Sequence, residues 1–282
     1  MSSQRPTVSF EFFPPKTEPA RAQLWDAVGM LARLKPDFMT VTYGAGGSTR
    51  EWTIQTAEKI LQDTKIPTAA HLTCVCTPKE EIHRIAGSLW NRGIRHIVAL
   101  RGDAPKDGAV PAAEDPEYYH YADELVAGLK FLRNFEISVA AYPEKHPAAP
   151  DLKTDIENLR RKCEAGADRA ITQFFFDNEK FYRFRDVVSS VGIAAPLVAG
   201  ILPIANPVKA FEFARKCGAS IPDRLAARFE GLENDHDTAR LVAAVVLAEQ
   251  IADLRANGVD HFHFYTLNQA HLTYAACQGL RM

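Results

Sequence analysis

The segment Gly93 to Asp103, GIRHIVALRGD, contains the unit from which the fold is predicted. Gly93 stands where a helix would end in left-handed geometry and the chain would turn back toward a sheet. An apolar strand follows from His96 to Gly102, and polar groups stand at its end. Glycine occupies the same place before three further strands, at Gly166, Gly192 and Gly258. This recurrence indicates alternating helices and strands.

Apolar runs of strand length occur eight times along the chain, separated by amphipathic segments of helix length. The predicted strands are Val8–Phe13, Phe38–Gly44, Ala69–Val75, His96–Gly102, Ser138–Pro143, Ala170–Phe176, Leu197–Leu202 and His261–Leu267. Eight such units without a low-complexity linker predict an α/β protein with a closed (β/α)8 TIM barrel, as a single domain over residues 1–282. A doubly wound open sheet is the competing architecture, but the glycines from Gly44 to Gly47 lack the GxGxxG spacing of a dinucleotide-binding turn.

Three segments carry further helix signals. Thr77, Pro78 and Glu80 fit an N-cap, a proline at the first helical position and a capping-box acid. Asn206–Pro207 repeats the N-cap and the proline. An extra short helix is predicted between Ile221 and Asp237, ahead of the last long helix.

The charge balance argues against nucleic acid or a membrane as a partner. The 282 residues include 33 Lys and Arg against 35 Asp and Glu, which gives a net charge of −2. No basic run recurs along the chain. The N-terminal residues form no apolar signal core, and the longest aliphatic run, Leu241 to Ala248, is too short to span a bilayer. We therefore expect a soluble, cytoplasmic protein.

The cysteines and two histidines raise the question of a metal site. Five cysteines without CxxC spacing indicate reduced thiols. Cys74 and Cys76 would share one strand face, which leaves a metal or redox pair open, although core packing is favoured. His261 and His263 also alternate on one face, but no carboxylate cluster completes a site. We expect structural roles for both histidines and no catalytic metal.

Glu11 lies in the first predicted strand, between Phe10 and Phe12 of VSFEFFPPKT, Val8 to Thr17. An ionised carboxylate is costly to bury among apolar side chains, so we expect Glu11 to stay protonated more readily than a surface glutamate. A carboxyl group of raised pKa is suited to general acid catalysis. The alternative is an edge-strand glutamate that faces water.

Polar residues end almost every predicted strand. They are Glu11, Thr42–Tyr43, His71, Arg101–Asp103, Tyr142–Glu144, Gln173, the Gly200–Pro203 turn and Asn268–Gln269. Because barrel enzymes hold their active sites at the carboxyl ends of the strands, this pattern predicts a functional face. Strand ends are also where a chain meets water, which is the alternative explanation.

A phosphate-bearing ligand is suggested by two segments. Arg101 could bind a phosphate, Gly102 could let the backbone approach a ligand, and Asp103 could meet a reacting ring. The helix from Asp155 to Gly166 could bind a ribose and a pyrophosphate through one face, which is alternatively a solvated surface. The residues of that face are Asp155, Asn158, Arg161 and Lys162.

Eight segments, in order along the chain, resemble the methylenetetrahydrofolate reductase family, in particular the short bacterial form with the catalytic barrel alone. They are SFEFFPPKT (Ser9–Thr17), VTYGAGG (Val41–Gly47), HLTC (His71–Cys74), GIRHIVALRGD (Gly93–Asp103), SVAAYPEKHP (Ser138–Pro147), RAITQFFFD (Arg169–Asp177), GILP (Gly200–Pro203) and HFHFYTLN (His261–Asn268). The resemblance implies reduction of 5,10-methylenetetrahydrofolate to 5-methyltetrahydrofolate, with FAD as the hydride relay and NADH or NADPH as co-substrate in a ping-pong reaction. It also implies a cytoplasmic, homo-oligomeric flavoprotein of one-carbon metabolism and methionine biosynthesis.

The same resemblance assigns roles to individual residues. Glu11 resembles the general acid that protonates the bridging nitrogen of the folate, and Asp103 resembles the carboxylate beside flavin and pterin. Gln173 and Phe213 resemble residues that contact the folate and the nicotinamide in turn. The positions that match FAD contacts are Thr42, Tyr43, Ala45, His71, Arg101, Gly102, Asp103, Tyr121, Ala122, Tyr142, His146, Asp155, Asn158, Arg161 and Lys162.

Two expected substrate-site positions depart from the family pattern. Gln269 stands where an arginine is expected, and Lys209 stands where a glutamine is expected. The choice between NADH and NADPH therefore stays open. One rival function is an FAD and folate subunit that exchanges electrons with a partner redox protein, including one that oxidises 5-methyltetrahydrofolate. Others are a non-catalytic folate or flavin module and a phosphate-sugar barrel enzyme.

Overall fold

The computed structural model describes residues 5–44, 50–104, 110–112 and 114–279. Eight parallel strands form a closed barrel in which neighbours in sequence pair with each other and the eighth strand pairs with the first. The strands are β1 (Thr7–Phe12), β2 (Phe38–Val41), β3 (Thr68–Thr73), β4 (His96–Leu100), β5 (Glu136–Ala141), β6 (Arg169–Thr172), β7 (Leu197–Ile201) and β8 (His261–Tyr265). The TIM-barrel prediction is confirmed, and each of the predicted strands is present.

Helices surround the barrel and connect its strands. They are α1 (Glu18–Ala32), α2 (Arg50–Thr64), α3 (Lys79–Asn91), α4 (Ala122–Leu132), α5 (Leu152–Glu164), α6 (Asn178–Ser190), α7 (Pro207–Cys217), α8 (Asp223–Ala226), α9 (His236–Ala256) and α10 (His271–Gly279). Helix α8 and a 3-10 turn at Ala227–Phe229 supply the extra helical segment that was predicted before α9. The glycines predicted to end helices have positive φ, at 87° for Gly93, 113° for Gly166, 77° for Gly192 and 78° for Gly258.

One of the two predicted N-caps is present. The Asn206 side chain accepts a hydrogen bond from the Lys209 N–H at 3.0 Å, as predicted for the start of α7. The prediction for Thr77 is wrong, because α3 begins at Lys79 and Pro78 occupies the capping position. The Lys79 N–H that a threonine cap would bind donates instead to the Glu117 carbonyl at 2.7 Å.

Strand register decides which side chains enter the barrel interior. On β1, Phe10 and Phe12 face the helices and are fully buried, and each contributes on the order of 2 kcal/mol of apolar burial. Ser9 and Glu11 lie on the opposite face of β1, and Ser9 is in register with Phe38 of β2. Phe38 belongs to a small buried cluster with Ile171 and Val198 that is separate from the main core. The polar face of β1 therefore points inside the barrel.

The interior contains buried polar side chains that are paired across neighbouring strands. His96 Nε2 lies 2.8 Å from Ser138 Oγ, and His263 Nδ1 lies 2.7 Å from Ser9 Oγ. Such pairs offset the cost of removing polar groups from water. Within the described residues, no helix has both the length and the apolar character needed to cross a bilayer.

Gly200 on β7 lies where the backbone leaves no space for a side chain. A Cβ at this position would lie 2.0 Å from the Thr172 carbonyl oxygen and 2.9 Å from Cε2 of Tyr265. We expect Gly200→Ala to lower the free energy of unfolding by roughly 1–3 kcal/mol, because both neighbours must move. Urea denaturation followed by circular dichroism measures this loss.

Gly29→Ala is the matched control. Gly29 lies on an exposed face of α1 with nothing within 4 Å of an added Cβ. This substitution should raise the free energy of unfolding by about 0.5–1 kcal/mol, because alanine favours the helix. Equal effects of the two substitutions would contradict the assignment of Gly200 to a tightly packed strand.

Candidate active site

Glu11 is the centre of the interior polar group. Its side chain is only 7% exposed, and its Oε2 lies 3.2 Å from Nε2 of His71 on β3. The same oxygen lies 3.4 Å from Nε2 of His263 on β8. The His71 contact lacks hydrogen-bond geometry, and His71 Nε2 has no other partner among the described residues. Two imidazoles, one from the adjacent strand β8 and one from β3 beyond β2, therefore converge on one carboxylate oxygen.

The protonation state expected for Glu11 from the sequence was wrong. Burial raises the pKa of the Glu11 carboxyl, but the charge of His71, whose Nε2 lies 3.2 Å away, and the hydrogen bond from His263 outweigh it, and the pKa falls to about 2. Glu11 is therefore a carboxylate at neutral pH when its imidazole partners carry protons. In the sequence, Glu11 has Phe10 and Phe12 as its neighbours. The two histidines that lower its pKa come close to it only in the folded barrel, so the sequence of β1 does not reveal them.

Ser9 fixes the orientation of His263. Ser9 Oγ lies 2.7 Å from His263 Nδ1 and 3.2 Å from the Phe262 carbonyl oxygen. Because the Ser9 hydroxyl donates to that carbonyl, His263 Nδ1 carries the proton that Ser9 accepts. Thr7 and His261 repeat the pair one layer away, with 2.7 Å between Oγ1 and Nδ1.

Sequence reasoning missed His263 as a functional residue. It was assigned a structural role because no metal ligands accompanied it, and its actual partner is a single carboxylate. The available signal was the closure of the barrel, which pairs β8 with β1 and places Ser9 opposite His263 and Glu11 opposite Tyr265. A strand alignment of the two ends of the chain would have placed His263 beside Glu11.

The loop after β8 holds the end of β1 in place. The Thr266 hydroxyl donates to the Glu11 carbonyl oxygen. The Asn268 side chain accepts from the Phe13 N–H at 2.9 Å and donates to the Phe13 carbonyl at 3.0 Å. Leu267 and Asn268 have positive φ of 50° and 56°, an uncommon conformation for residues with a Cβ. This loop therefore fixes the backbone that carries Glu11.

An aromatic wall adjoins Glu11. Tyr265 on β8 is half-buried, its hydroxyl donates to the Thr172 carbonyl at 2.8 Å, and its pKa is raised well above the usual value by burial of the hydroxyl and by the Glu11 charge. The Tyr265 ring lies 5.7 Å from Phe174, and Phe174 lies 5.4 Å from Phe213. The wall therefore connects Glu11 to Phe213, the predicted stacking residue on α7.

A second group of predicted residues lies at the ends of β4 and β5. Burial raises the pKa of Tyr142, and the nearby carboxylates of Asp155 and Asp103 raise it further. The Asp155 side chain accepts the His146 N–H at 2.9 Å, and the His146 ring packs edge-on against Tyr142 at 4.6 Å. Asp103, Tyr142, His146 and Asp155 therefore gather at one side of the barrel mouth.

Arg101 and the start of α4 lie beside this group. Arg101 Nε donates to the His120 carbonyl at 3.2 Å, and its guanidinium carbon lies 5.8 Å from the centre of the Tyr121 ring. Helix α4 begins at Ala122, and Tyr121 makes no side-chain cap with the described residues. Within the part of the chain that the structure describes, the first N–H groups of α4 thus have no side-chain cap.

The predicted face of α5 divides into half-buried and exposed residues. Lys162 donates to the Ala140 carbonyl on β5, and burial lowers its pKa, although the Asp155 carboxylate opposes that shift. Asn158 is exposed. Arg161 is 58% exposed and lies 3.5 Å from Glu157. The structure therefore brings Asp155 and Lys162 toward the strand ends and leaves the other two at the surface.

The remaining predicted residues lie in other local settings. Gln173 Oε1 accepts from the Phe174 N–H at 3.0 Å, and Thr42 follows β2 with its carbonyl bound to Thr53. The Tyr43 hydroxyl accepts from Arg50 Nε at 2.8 Å, and Arg50 also pairs with Glu81. Ala45 lies outside the described residues.

The two departures from the family pattern lie at the rim. Lys209 is exposed in the first turn of α7. Gln269 is exposed and lines a cleft of about 760 Å³ between α1, α9 and the loop after β8. The structure therefore does not gather Lys209 and Gln269 with Glu11 through any described contact.

The described part of the chain contains neither a cluster of metal-ligating side chains nor a disulfide. No group of three or more His, Cys, Asp or Glu side chains there could hold a metal ion. No disulfide forms among the cysteines, and burial raises the pKa of Cys74 to about 12, which keeps it a thiol.

Comparison with known proteins decides the family. Residues 1–281 match the family model described as methylenetetrahydrofolate reductase. The chain belongs to the methylenetetrahydrofolate reductase family. The 5,10-methylenetetrahydrofolate reductase of Salmonella typhimurium is 47% identical over 273 residues, which cover 97% of this chain and 90% of that protein. The protein of the same name from Escherichia coli is 46% identical, with the same coverage.

A more distant solved structure has the same barrel fold as this chain. It is described as an uncharacterized protein from Clostridium thermocellum that binds two copies of 5-methyl-5,6,7,8-tetrahydrofolic acid. Its TM-score is 0.68 at 15% identity, covering 99% of this chain and 97% of that one. At such identity the likeness concerns the fold alone. Family membership makes the chain an enzyme, which removes the phosphate-sugar barrel and the non-catalytic module as rival functions.

The low pKa of Glu11 makes stability depend on pH in a defined direction. Between pH 4.5 and about 2, the unfolded state binds the Glu11 proton and the folded state does not, so the stabilisation from Glu11 is present above pH 4.5 and is lost as the pH falls. We expect the free energy of unfolding of the parent protein to exceed that of the Glu11→Gln variant by on the order of 2 kcal/mol at pH 5. Near pH 2.5 the difference should be much smaller. Urea titrations at both pH values measure the difference.

Glu212→Gln, on the exposed face of α7, controls for the loss of a charge. A stability difference between the parent protein and Glu11→Gln that stays constant or widens toward low pH would contradict the low pKa.

Proposed function

We propose that this enzyme reduces 5,10-methylenetetrahydrofolate to 5-methyltetrahydrofolate in a ping-pong reaction with FAD as the hydride relay and NADH or NADPH as co-substrate. The observation that carries the proposal is the buried Glu11 carboxylate at the barrel mouth, 3.2 Å from His71 and 3.4 Å from His263. A group so placed can pass a proton to a ligand at the carboxyl ends of the strands. The folate's bridging nitrogen is the proposed acceptor.

The residues opposite Glu11 fit FAD. Gly102 has a φ of 86°, and an added Cβ would lie 2.8 Å from Cβ of Thr73, so the position requires glycine and presents bare backbone. The start of α4, which has no side-chain cap among the described residues, and the Arg101 guanidinium suit a phosphate. When bound, FAD would supply hydride transfer between the nicotinamide and the folate.

The other predicted residues act around these two positions. Asp103 would place a negative charge near the reacting ring and stabilise the cation that forms when the folate ring opens. Asp155 and Lys162 would bind ribose and pyrophosphate. Phe213 would stack on the folate or the nicotinamide in turn, since it continues the wall formed by Tyr265 and Phe174.

The cellular setting is proposed from the same reasoning. We place the enzyme in the cytoplasm as a homo-oligomer of single barrel domains over residues 1–282, in one-carbon metabolism and methionine biosynthesis. Exchange of electrons with a partner redox protein is the alternative to nicotinamide. The observation behind this alternative is the neutral, exposed Gln269, which stands where an arginine that would bind the nicotinamide or the folate is expected. Purified protein that carries FAD but is reduced by neither nicotinamide would support the partner protein.

Glu11→Gln should separate the two half-reactions. Reduction of FAD by the nicotinamide needs no proton from Glu11, whereas opening of the folate ring does. We expect anaerobic stopped-flow absorbance to record unchanged flavin reduction and reoxidation by 5,10-methylenetetrahydrofolate slowed by roughly 10² to 10⁴, the usual contribution of a general acid. Equal loss in both half-reactions would argue against proton delivery through Glu11.

Arg161→Ala tests the proposed pyrophosphate contact. The Arg161 guanidinium is exposed and has only a 3.5 Å ion pair with Glu157, so it can turn toward a phosphate beside Lys162. A charge-assisted contact of this kind is worth about 1.5–3 kcal/mol. We expect FAD to dissociate with a Kd raised roughly tenfold or more, measured by flavin fluorescence. Arg160→Ala is the control, because Arg160 pairs with Glu157 and Glu164. Identical FAD binding by both variants would remove Arg161 from the site.

A further inference from the structure

The role proposed for Glu11 as a general acid conflicts with its ionised state in the structure. An acid must hold a proton before it can donate one, yet the His71 and His263 imidazoles keep the Glu11 carboxyl ionised near neutral pH, with a pKa of about 2. A proton that reaches the folate through Glu11 must therefore be held on another group between turnovers. The two imidazoles are the groups within reach of its Oε2.

We propose that His263, held by Ser9, stores the proton that Glu11 delivers and returns one to Glu11 in each turnover. His263 is a positioning residue in this scheme, because it acts on the substrate only through Glu11. The inference rests on the proposed function, since it assigns the source of the proton for the same folate step.

The geometry favours His263 over His71 as this store. His263 Nε2 makes a hydrogen bond to Glu11 Oε2 at 3.4 Å, whereas the 3.2 Å approach of His71 lacks hydrogen-bond geometry. His263 is 1% exposed, so its proton exchanges with solvent less freely than that of a surface imidazole. The Ser9 hydroxyl donates a hydrogen bond to the Phe262 carbonyl and accepts one from His263 Nδ1, which keeps the proton on Nδ1. Nε2 is therefore the nitrogen that gains and loses a proton.

Other ionisable groups also face the barrel interior around this pair. His96 on β4 has a pKa well below its ordinary value, chiefly through burial and then through the charge of Arg169 on β6, so it is neutral near pH 7. Tyr265 on β8 lies 5.2 Å from the His263 ring and stays a neutral phenol. His71 on β3 is the remaining candidate for the positive charge. An imidazolium at His263 thus has Glu11 as its buried counter-charge.

The proton step balances without any change of oxidation state. The Nε2 proton of His263 moves to the Glu11 carboxylate, and the carboxyl group so formed passes a proton to the bridging nitrogen of the folate, which leaves Glu11 a carboxylate again. His263 takes its next proton from water between turnovers. The carbon–nitrogen bond at the bridging nitrogen breaks, and both electrons stay on the nitrogen. The positive charge leaves the imidazole and appears on the opened folate, while Glu11 carries the same charge before and after proton transfer.

The test compares His263→Gln with His261→Gln. Glutamine at 263 can keep a hydrogen bond to Glu11 but cannot store the proton, so a purely structural role would be preserved. His261 makes the same contact to Thr7 that His263 makes to Ser9, yet no contact joins His261 to Glu11 among the described residues, so it is the matched control. Reduction by the nicotinamide, FAD content and reoxidation by 5,10-methylenetetrahydrofolate are followed anaerobically from pH 6 to 9.

His263→Gln should reoxidise at least roughly tenfold more slowly at pH 7, with normal FAD content and normal reduction. It should also lose the alkaline decline in reoxidation that the parent protein and His261→Gln display as the imidazolium deprotonates. Parent-like reoxidation with an unchanged pH profile in His263→Gln would overturn the proposal, as would a loss confined to His71→Gln. If Glu11→Gln itself reoxidised normally, the proposed general acid would fail first, which separates the two ideas.

A spectroscopic readout needs neither substrate nor turnover. Selective ¹⁵N labelling of histidine lets NMR compare the His263 ring nitrogens in the parent protein and in Glu11→Gln at pH 7. Removal of the carboxylate should change the ¹⁵N chemical shift of His263 Nε2, because that nitrogen loses its hydrogen-bond partner Glu11 Oε2. An unchanged Nε2 shift would overturn the proposal even if His263→Gln failed to fold.

Discussion

A carboxylate inside a barrel must be neutralised or hydrogen-bonded, because the cost of burying an unpaired charge exceeds what one domain can tolerate. Glu11 meets this requirement through two imidazoles that arrive from β3 and β8. The imidazole of His263 could not reach it in an open sheet, since β8 adjoins β1 only when the barrel closes. The charge of Glu11 and the closure of the fold are therefore one constraint.

Much of the fold could be predicted because its signals are local. A glycine that ends a helix and an apolar run that follows are read from about ten residues, and each of the predicted strands is present. Thr77 shows the limit of local signals. Its sequence fits an N-cap, but the Lys79 N–H binds the carbonyl of Glu117, nearly forty residues away, and the cap does not form.

The candidate site was predictable in its location and not in its charges. Glu11, Asp103 and Tyr142 stand at the ends of predicted strands, and the structure has them at the barrel mouth, since that position depends only on strand order. The pKa of Glu11 depends on distances across the interior, which the sequence of one strand does not contain. His263 was set aside for the same reason, because its partner belongs to the other end of the chain.

The barrel mouth separates two electrostatic environments, and strand order explains the division. Strands β3 and β8 bring two imidazoles to the Glu11 carboxylate on β1. Near the ends of β4 and β5, the carboxylates of Asp103 and Asp155 lie close to Tyr142 and help to raise its pKa. The wall that begins at Tyr265 leads away from Glu11. A flat ligand stacked on that wall would turn one edge toward a proton source. Its other edge would meet negative charge that stabilises a cation. Proton delivery and cation stabilisation can then act on one ligand without neutralising each other.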